Sequence, residues 1–308
     1  MTFTVTILGS SSAKPAYDRH PSAQILQCGD DLYLIDCGEG TQMQMQRFNI
    51  NPFKITHIFI SHLHGDHYLG LLPLLDSLML NNRTKPLYLF APEDCMRAIV
   101  LHRQISAHNY QPDYELIFKP TQAQAPEVIV DNNHLTVTTL PLQHGLPCTG
   151  FLFKQKQADR KMIGAAIEKY RIPYHLIPDI KKGADYTTPQ GKVIPNNLLT
   201  TLPPAPLSYA YCSDTAYSEP LIPLVKGVDV LYHESTYLSD MQEVAPLRGH
   251  STSIDAAKIA RAAGVGKLFL GHFSPRYDRL HHYLHEARPF FPDTYLATEG
   301  LVINIAGN

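Results

Sequence analysis

The sequence predicts an α/β protein, and three observations carry the prediction. Short β-branched or apolar runs recur along the chain with the length and period of strands, Phe3-Thr4-Val5-Thr6-Ile7-Leu8 among them. Longer apolar stretches lie between them, such as Leu71 to Leu80, which has the content and length of a buried helix. Polar side chains able to bind metals stand just past the carboxyl ends of several strand-like runs, where α/β folds place ligand sites.

In chain order, Phe3 to Leu8 reads as the first strand, closed by the polar turn Gly9-Ser10-Ser11-Ser12. Gln24-Ile25-Leu26-Gln27 and Leu32-Tyr33-Leu34-Ile35 read as two strands joined in a hairpin at Gly29-Asp30-Asp31. Asp36-Cys37-Gly38-Glu39-Gly40 ends the second of these, and a helix follows from Thr41 with Met43, Met45 and Phe48 available for packing. Ile55 to Ile60 reads as a buried strand, Leu71 to Leu80 as a helix, Pro86 to Phe90 as a strand and Glu93 to Ser106 as a helix. The second half repeats this grammar. Leu135 to Leu140 leads to His144, Ser208 to Cys212 to Asp214, Val228 to Tyr232 to His233-Glu234, and Lys267 to Leu270 to Gly271-His272. Ser251 or Ser253 before Ile254 has the chemistry of a helix start, and Tyr277 to Arg288 reads as a last helix.

Between the halves, Lys154 to about Pro195 has little sheet pattern and several prolines (Pro173, Pro178, Pro189, Pro195). From Lys154 to Lys182 there are eight Lys/Arg and three Asp/Glu, a net charge of +5. Such a segment is either a solvated surface excursion or a projecting arm that touches an anionic partner.

With 308 residues, 44% of them hydrophobic, the chain suffices for one large domain or two small ones and needs no disulfides. Its five cysteines form no C-x-x-C pair, which points to a reducing compartment and away from a thiolate zinc site. No signal peptide or membrane span is expected. A formal net charge of −2 excludes a generally basic nucleic-acid binder, so any polyanion contact must be local.

The densest chemical signal is Ser61-His62-Leu63-His64-Gly65-Asp66-His67, directly behind the buried strand. Imidazole and carboxylate are the ligands of a divalent borderline metal such as zinc. His62 and His64, at i and i+2, point to one side of an extended segment. Asp66 and His67 lie beyond Gly65, whose torsional freedom is expected to swing them onto a second centre. Two ligand pairs on one loop suggest two metals close together, an arrangement that serves hydrolysis of phosphate or acyl bonds. His20, His57, His102, His108, His134, His281, His282 and His285 belong to no such constellation, and His233 is expected to support a site from behind.

With Tyr68-Leu69-Gly70-Leu71-Leu72, the histidine loop resembles that of the metallo-β-lactamase fold. The ordered set Leu8-Gly9-Ser10, Asp36 to Gln42, Ser213-Asp214-Thr215, His233-Glu234-Ser235-Thr236, Gly249-His250-Ser251-Thr252 and Gly271-His272-Phe273-Ser274 is similar to the ribonuclease Z family, which processes the 3′ ends of precursor tRNAs. The resemblance implies a four-layer αβ/βα sandwich over residues 1–308, with an inserted basic arm at about 154–195 serving as a tRNA-binding exosite. It implies two Zn²⁺ per subunit, one held by His62, His64, His144 and Asp214, the other by Asp66, His67, His272 and the bridging Asp214. Asp66 would be proton acceptor, and His250, oriented by Glu234, would serve the leaving group; these three form the implied catalytic set. The family is dimeric and acts in the cytoplasm on precursor tRNA, leaving a 3′-hydroxyl on the tRNA and a 5′-phosphate on the trailer.

Two departures stand out. The family's Pro-x-Lys-x-Arg-Asn loop reads Pro15-Ala16-Tyr17-Asp18-Arg19-His20, so Arg19 is left to pair with a phosphate and Tyr17 to stack on a base. The arm's usual Gly-Pro turn is missing from Ile172-Pro173-Tyr174-His175-Leu176-Ile177-Pro178. The rival expectations are a small-molecule phosphodiesterase, sulfatase or lactonase of the same fold, and an RNA-binding protein with a structural metal.

Overall fold

The computed structural model describes residues 2–106 and 114–306; His108 lies outside them. The chain divides into two compact units, residues 1–154 with 207–308, and residues 155–206.

The larger unit is built on two seven-stranded sheets. In the first, Val302–Asn304, Phe3–Gly9, Ala23–Cys28 and Asp31–Cys37 lie side by side antiparallel, and Ile55–Phe59, Leu87–Ala91 and Leu116–Pro120 continue parallel to the last of them. The second sheet runs Val128–Asp131, Leu135–Leu142, Cys148–Gln155, Ser208–Cys212, and then Val230–Glu234, Lys267–Gly271 and Thr294–Leu296 in parallel. Alternate side chains of a strand point to opposite faces, which sorts the apolar residues into layers. Val5, Tyr33 and Phe59 meet Phe151, Tyr209 and Phe269 between the sheets. On the outer face of the first sheet, Leu34, Ile58 and Leu89 pack with Leu74 and Leu78 of helix Leu71–Leu80 and Ile99 of helix Asp94–Ser106. On the other side, Ala210, Leu231 and Leu268 pack with Ala256, Ile259 and Ala260 of helix Ser253–Ala263 and with Tyr283 of helix His281–Ala287. This is the expected αβ/βα order. The central parallel strands, such as Ser208–Cys212 and Val230–Glu234, are buried on both faces, which is why they read as near-continuous apolar runs. Each fully buried Leu or Phe contributes about 1.5–3 kcal/mol, so the three layers of core hold the strand ends firmly.

Helix Ser253–Ala263 begins with a capping box: Thr252 Oγ1 accepts from the Asp255 N–H, and Asp255 accepts from the Thr252 N–H. The cap is therefore Thr252, between the two serines read as candidates. The strand expected at Val228–Tyr232 runs Val230–Glu234, and the last helix is confined to His281–Ala287. Strands Leu116–Pro120, Val128–Asp131, Thr294–Leu296 and Val302–Asn304 have no clean alternation in sequence because they are short, partly exposed pieces at or near sheet edges.

The smaller unit has its own core of Ala166, Ile172, Ile180, Tyr186, Ile194 and Leu199. It extends past the expected end near Pro195 because Thr200–Thr201 pairs with Lys161–Met162. Asn196 ties its loops together, donating from Nδ2 to the carbonyls of Ile180 (2.7 Å) and Ala184 (2.6 Å). Among the described residues, no helix is long and apolar enough to cross a membrane.

Candidate metal centre

The parallel strands of both sheets deliver their carboxyl ends to one cleft of about 410 Å³, lined by His64, Asp66, Asp214, His250 and His272 among others. Past strand Ile55–Phe59 come His62 and the extended His64, and Gly65 opens a one-turn helix, Gly65–Tyr68, that carries Asp66 and His67. The redirection comes from this helical turn; Gly65 itself has no positive φ. The glycine that matters sterically is Gly38, where a Cβ would lie 2.4 Å from the Asp66 carbonyl oxygen.

Among the described residues three groups of possible ligands form: Asp214, His250 and His272 make one, and the residues of the histidine loop make two more with their partners. In one, His64 Nδ1 lies 3.0 Å from both His62 Nε2 and His144 Nε2, and Asp214 Oδ2 is 3.6 and 3.8 Å from those two Nε2 atoms. In the other, His67 Nε2 and His272 Nε2 are 3.2 Å apart, with Asp66 Oδ2 at 3.5 and 3.3 Å from them. Asp214 Oδ1 reaches this second cluster, 3.4 Å from His67 Nε2 and 3.3 Å from His272 Nε2. The residues expected to hold metal are thus together, and Asp214 touches both groups.

Four of the five histidines are held from behind. His67 Nδ1 is 2.8 Å from Asp36 Oδ2, His144 Nδ1 donates to the Gly249 carbonyl (2.8 Å), His272 Nδ1 is 2.9 Å from Thr236 Oγ1, and His62 Nδ1 is 3.1 Å from Ser61 Oγ. A proton on Nδ1 leaves the Nε2 lone pair aimed inward, the form in which imidazole binds a metal. Lone pairs so close together repel one another unless a cation lies among them. Asp214 Oδ1, buried and without a hydrogen-bond partner, is the acceptor such a cation would satisfy. The donor set therefore fits a pair of divalent ions with nitrogen and oxygen ligands.

The electrostatics of the pocket favour positive charge. Burial opposes charge on His67, yet the carboxylates of Asp214, Asp36 and Asp66 raise its pKa well above the usual histidine value. Burial likewise opposes the charge on Asp214, and His272, His67 and His62 outweigh it, holding its pKa well below the usual carboxylate range. Asp66 follows the same pattern, with His67 and His272 outweighing burial.

His250 stands beside the clusters with Nδ1 3.0 Å from Glu234 Oε1 and 4.0 Å from Asp214 Oδ2. Burial disfavours its charge, but Glu234 prevails and pushes the imidazole up to about 9. Glu234 is itself fully enclosed: it accepts from the N–H groups of Thr215, Thr236 and Ser251 and from the Thr236 hydroxyl. Through Thr236 it also orients His272. Arg19 is buried and donates from Nη2 to the Tyr277 carbonyl (2.9 Å), while exposed Tyr17 lies against its guanidinium. His233 is buried with Nδ1 on the Glu234 carbonyl (2.6 Å), and His281, His282 and His285 join no possible ligand group among the described residues.

Sequence reading named Asp36, Thr236 and Gly249 as parts of the family's motifs but gave them no role at the site. Asp36 had the signal, a carboxylate at the end of an apolar strand. It accepts from the Ser61 N–H (2.7 Å), the Ser61 hydroxyl (2.9 Å) and the Tyr211 hydroxyl (2.6 Å) as well as holding His67.

Comparison with known proteins places this geometry. Ribonuclease Z of Phocaeicola vulgatus is 41% identical over 303 residues, covering 98% of this chain and 97% of the relative. Ribonuclease Z of Porphyromonas gingivalis is 40% identical, with 98% and 99% covered. The chain belongs to the ribonuclease Z family. It also belongs with the family whose model, described as Anti-Pycsar protein Apyc1, matches residues 3–170. Human tRNase Z, short form, superposes with a TM-score of 0.70 at 23% identity, covering 98% of this chain and 99% of the human one. The metallo-β-lactamase fold protein YhfI from Bacillus subtilis gives 0.69 at 19% identity, with 98% and 99% covered. These two likenesses speak to the fold, which for this ribonuclease Z family member is the metallo-β-lactamase fold.

Proposed function

We propose that this chain is a tRNA 3′-processing endoribonuclease that removes 3′ trailers from precursor tRNA. The observation that carries the reading is the pair of ligand clusters meeting at Asp214, in a chain of which nearly the full length matches ribonuclease Z proteins. His62, His64, His144 and Asp214 would hold one Zn²⁺, and Asp66, His67 and His272, with Asp214 in reach, would hold the other. Two such ions supply Lewis-acid polarisation of the phosphoryl group and bring the acidity of water toward neutrality.

The chain's own residues do the rest. Asp66 accepts the proton of the attacking water. His250, its Nδ1 fixed on Glu234, presents Nε2 with a proton to the departing 3′-oxygen. The bond between phosphorus and that oxygen breaks, leaving a 3′-hydroxyl on the tRNA and a 5′-phosphate on the trailer. The basic segment Lys154 to Lys182 neutralises backbone phosphates of the tRNA, and Tyr17 stacks on a base near the cut. The enzyme works as a homodimer in the cytoplasm; a sequence with five cysteines and no C-x-x-C pair suits a reducing compartment. A small-molecule phosphodiesterase, sulfatase or lactonase is not favoured, since the near-full-length relatives named above are ribonucleases.

The test is cleavage of a labelled precursor tRNA by zinc-loaded protein, mapped to the nucleotide, with Asp66→Ala as the blank. We expect a cut just 3′ of the discriminator base and a loss of orders of magnitude in the variant. Hydrolysis of a simple phosphodiester without any tRNA cut would refute tRNA as the substrate and keep the metal chemistry.

A further inference from the structure

The loop between the first two strands, residues 10–20, is tied to three places around the second ligand cluster. Its Ala13 N–H donates to Asp66 Oδ2 at 2.6 Å, the carboxylate oxygen that faces His67 and His272. Beside it, the Ser12 N–H donates to the Phe273 carbonyl (3.1 Å), and the Phe273 N–H donates to the Ser10 carbonyl (2.8 Å), so the loop is laced to the residue after His272. Further on, the Arg19 guanidinium donates to the Tyr277 carbonyl, and His20 is held at its N–H and ring by Glu299. Asp66 comes from the first sheet and His272 from the second, and no covalent feature keeps them 3.3 Å apart.

We propose that loop 10–20 is a clip that positions Asp66 and His272 for the second metal ion, with the Ala13 N–H as its jaw and Arg19 as its brace. The inference rests on the reading that these two residues hold that ion. Ala13 is exposed and has φ +61°, a left-handed conformation that an alanine adopts only when its surroundings impose it. In that conformation its N–H lies on the carboxylate. Arg19 is 7% exposed and its Nη2 donates to the Tyr277 carbonyl, so its guanidinium holds the loop down beneath Tyr17 rather than reaching outward. Ala13 and Arg19 are thereby positioning residues, acting through Asp66 and the His272 loop.

The exposed side chain of Ala13 allows a test through the backbone alone. A β-branched residue is strongly disfavoured at this φ, whereas glycine adopts it freely and keeps the N–H. Zinc affinity of the metal-free protein would be measured by competition with a chromophoric chelator for the parent, Ala13→Val, Ala13→Gly and Arg19→Met, with thermal melting alongside. The parent should take up two ions. Ala13→Val should bind the second about tenfold or more weakly, the usual effect of removing a partner behind a metal ligand, with the metal-free protein still melting cooperatively. Ala13→Gly should match the parent, and Arg19→Met should fall with Ala13→Val. Parent-like binding of the second ion by Ala13→Val overturns the clip, as does equal weakening in Ala13→Gly. A parent that binds fewer than two ions overturns the metal reading and the clip together. No arm of the experiment uses RNA, so its outcome is separate from that of the precursor-tRNA assay.

Discussion

At the scale of single residues, the centre depends on which nitrogen of each histidine is engaged behind it. Gly249 shows how narrow the tolerance is. Its carbonyl accepts from His144 Nδ1, its φ is +68°, and a Cβ added there would stand 2.8 Å from the same Nδ1. Gly249→Ala is therefore expected to displace His144 and, through the neighbouring position, His250. Metal affinity should fall by about 10–100-fold, the range seen when the partner behind a metal ligand is lost. Zinc titration of the metal-free variant checks this, and affinity equal to the parent's would mean that the His144 ring is held by other contacts. Glu234 is the counterpart on the other side of the cleft. Enclosed by three backbone N–H groups and a hydroxyl, it holds His250 in place and His272 through Thr236.

At the scale of elements, the strands that deliver the ligands are held by cross-strand stacking on their inner face. His57 lies opposite Tyr33 on one neighbour and Tyr88 on the other, with ring centroids 5.0 and 4.9 Å apart and nearly parallel planes. Burial among these rings lowers its pKa to about 4. The unfolded chain carries a histidine near its ordinary value of about 6.5. Between those values the unfolded state binds the proton and the folded state does not, so stability rises with pH across the window and is lost as pH falls from about 6.5 to about 4. His57→Phe keeps the aromatic stack and removes the titration. Denaturant unfolding of the metal-free proteins at several pH values should show the parent losing stability relative to the variant on acidification within that window. Parallel pH profiles for the two would show that His57 protonates normally in the folded protein.

For the whole molecule, the proposed function puts RNA capture on the inserted basic segment. The formal net charge is −2, yet Lys154 to Lys182 carries +5, so the sequence's excess of positive charge lies in that segment. Replacing Lys169, Arg171, Lys181 and Lys182 by alanine is expected to weaken precursor-tRNA binding and to flatten its salt dependence, because fewer counterions are released on binding. Hydrolysis of a small phosphodiester should be untouched. Affinity measured from low to moderate salt checks the slope, and an unchanged slope would move the RNA-binding surface elsewhere on the protein.

Much of this was legible in the linear chain because its causes are local. Strand period, helix length and the density of ligands in His62 to His67 lie within windows of a few residues, and each further ligand follows an apolar strand that announces itself. Short strands at and near the sheet edges were not legible, because a half-exposed strand of three to five residues has no periodic signature. The partners behind the ligands were not legible either. Asp36, Thr236 and Gly249 look like ordinary turn residues until the fold brings them against His67, His272 and His144. The sequence by itself determined which side chains can bind metal and that they stand at strand ends. Only the tertiary structure decided how close these side chains lie to one another and which nitrogen each presents, since those depend on contacts between the two sheets that span much of the chain.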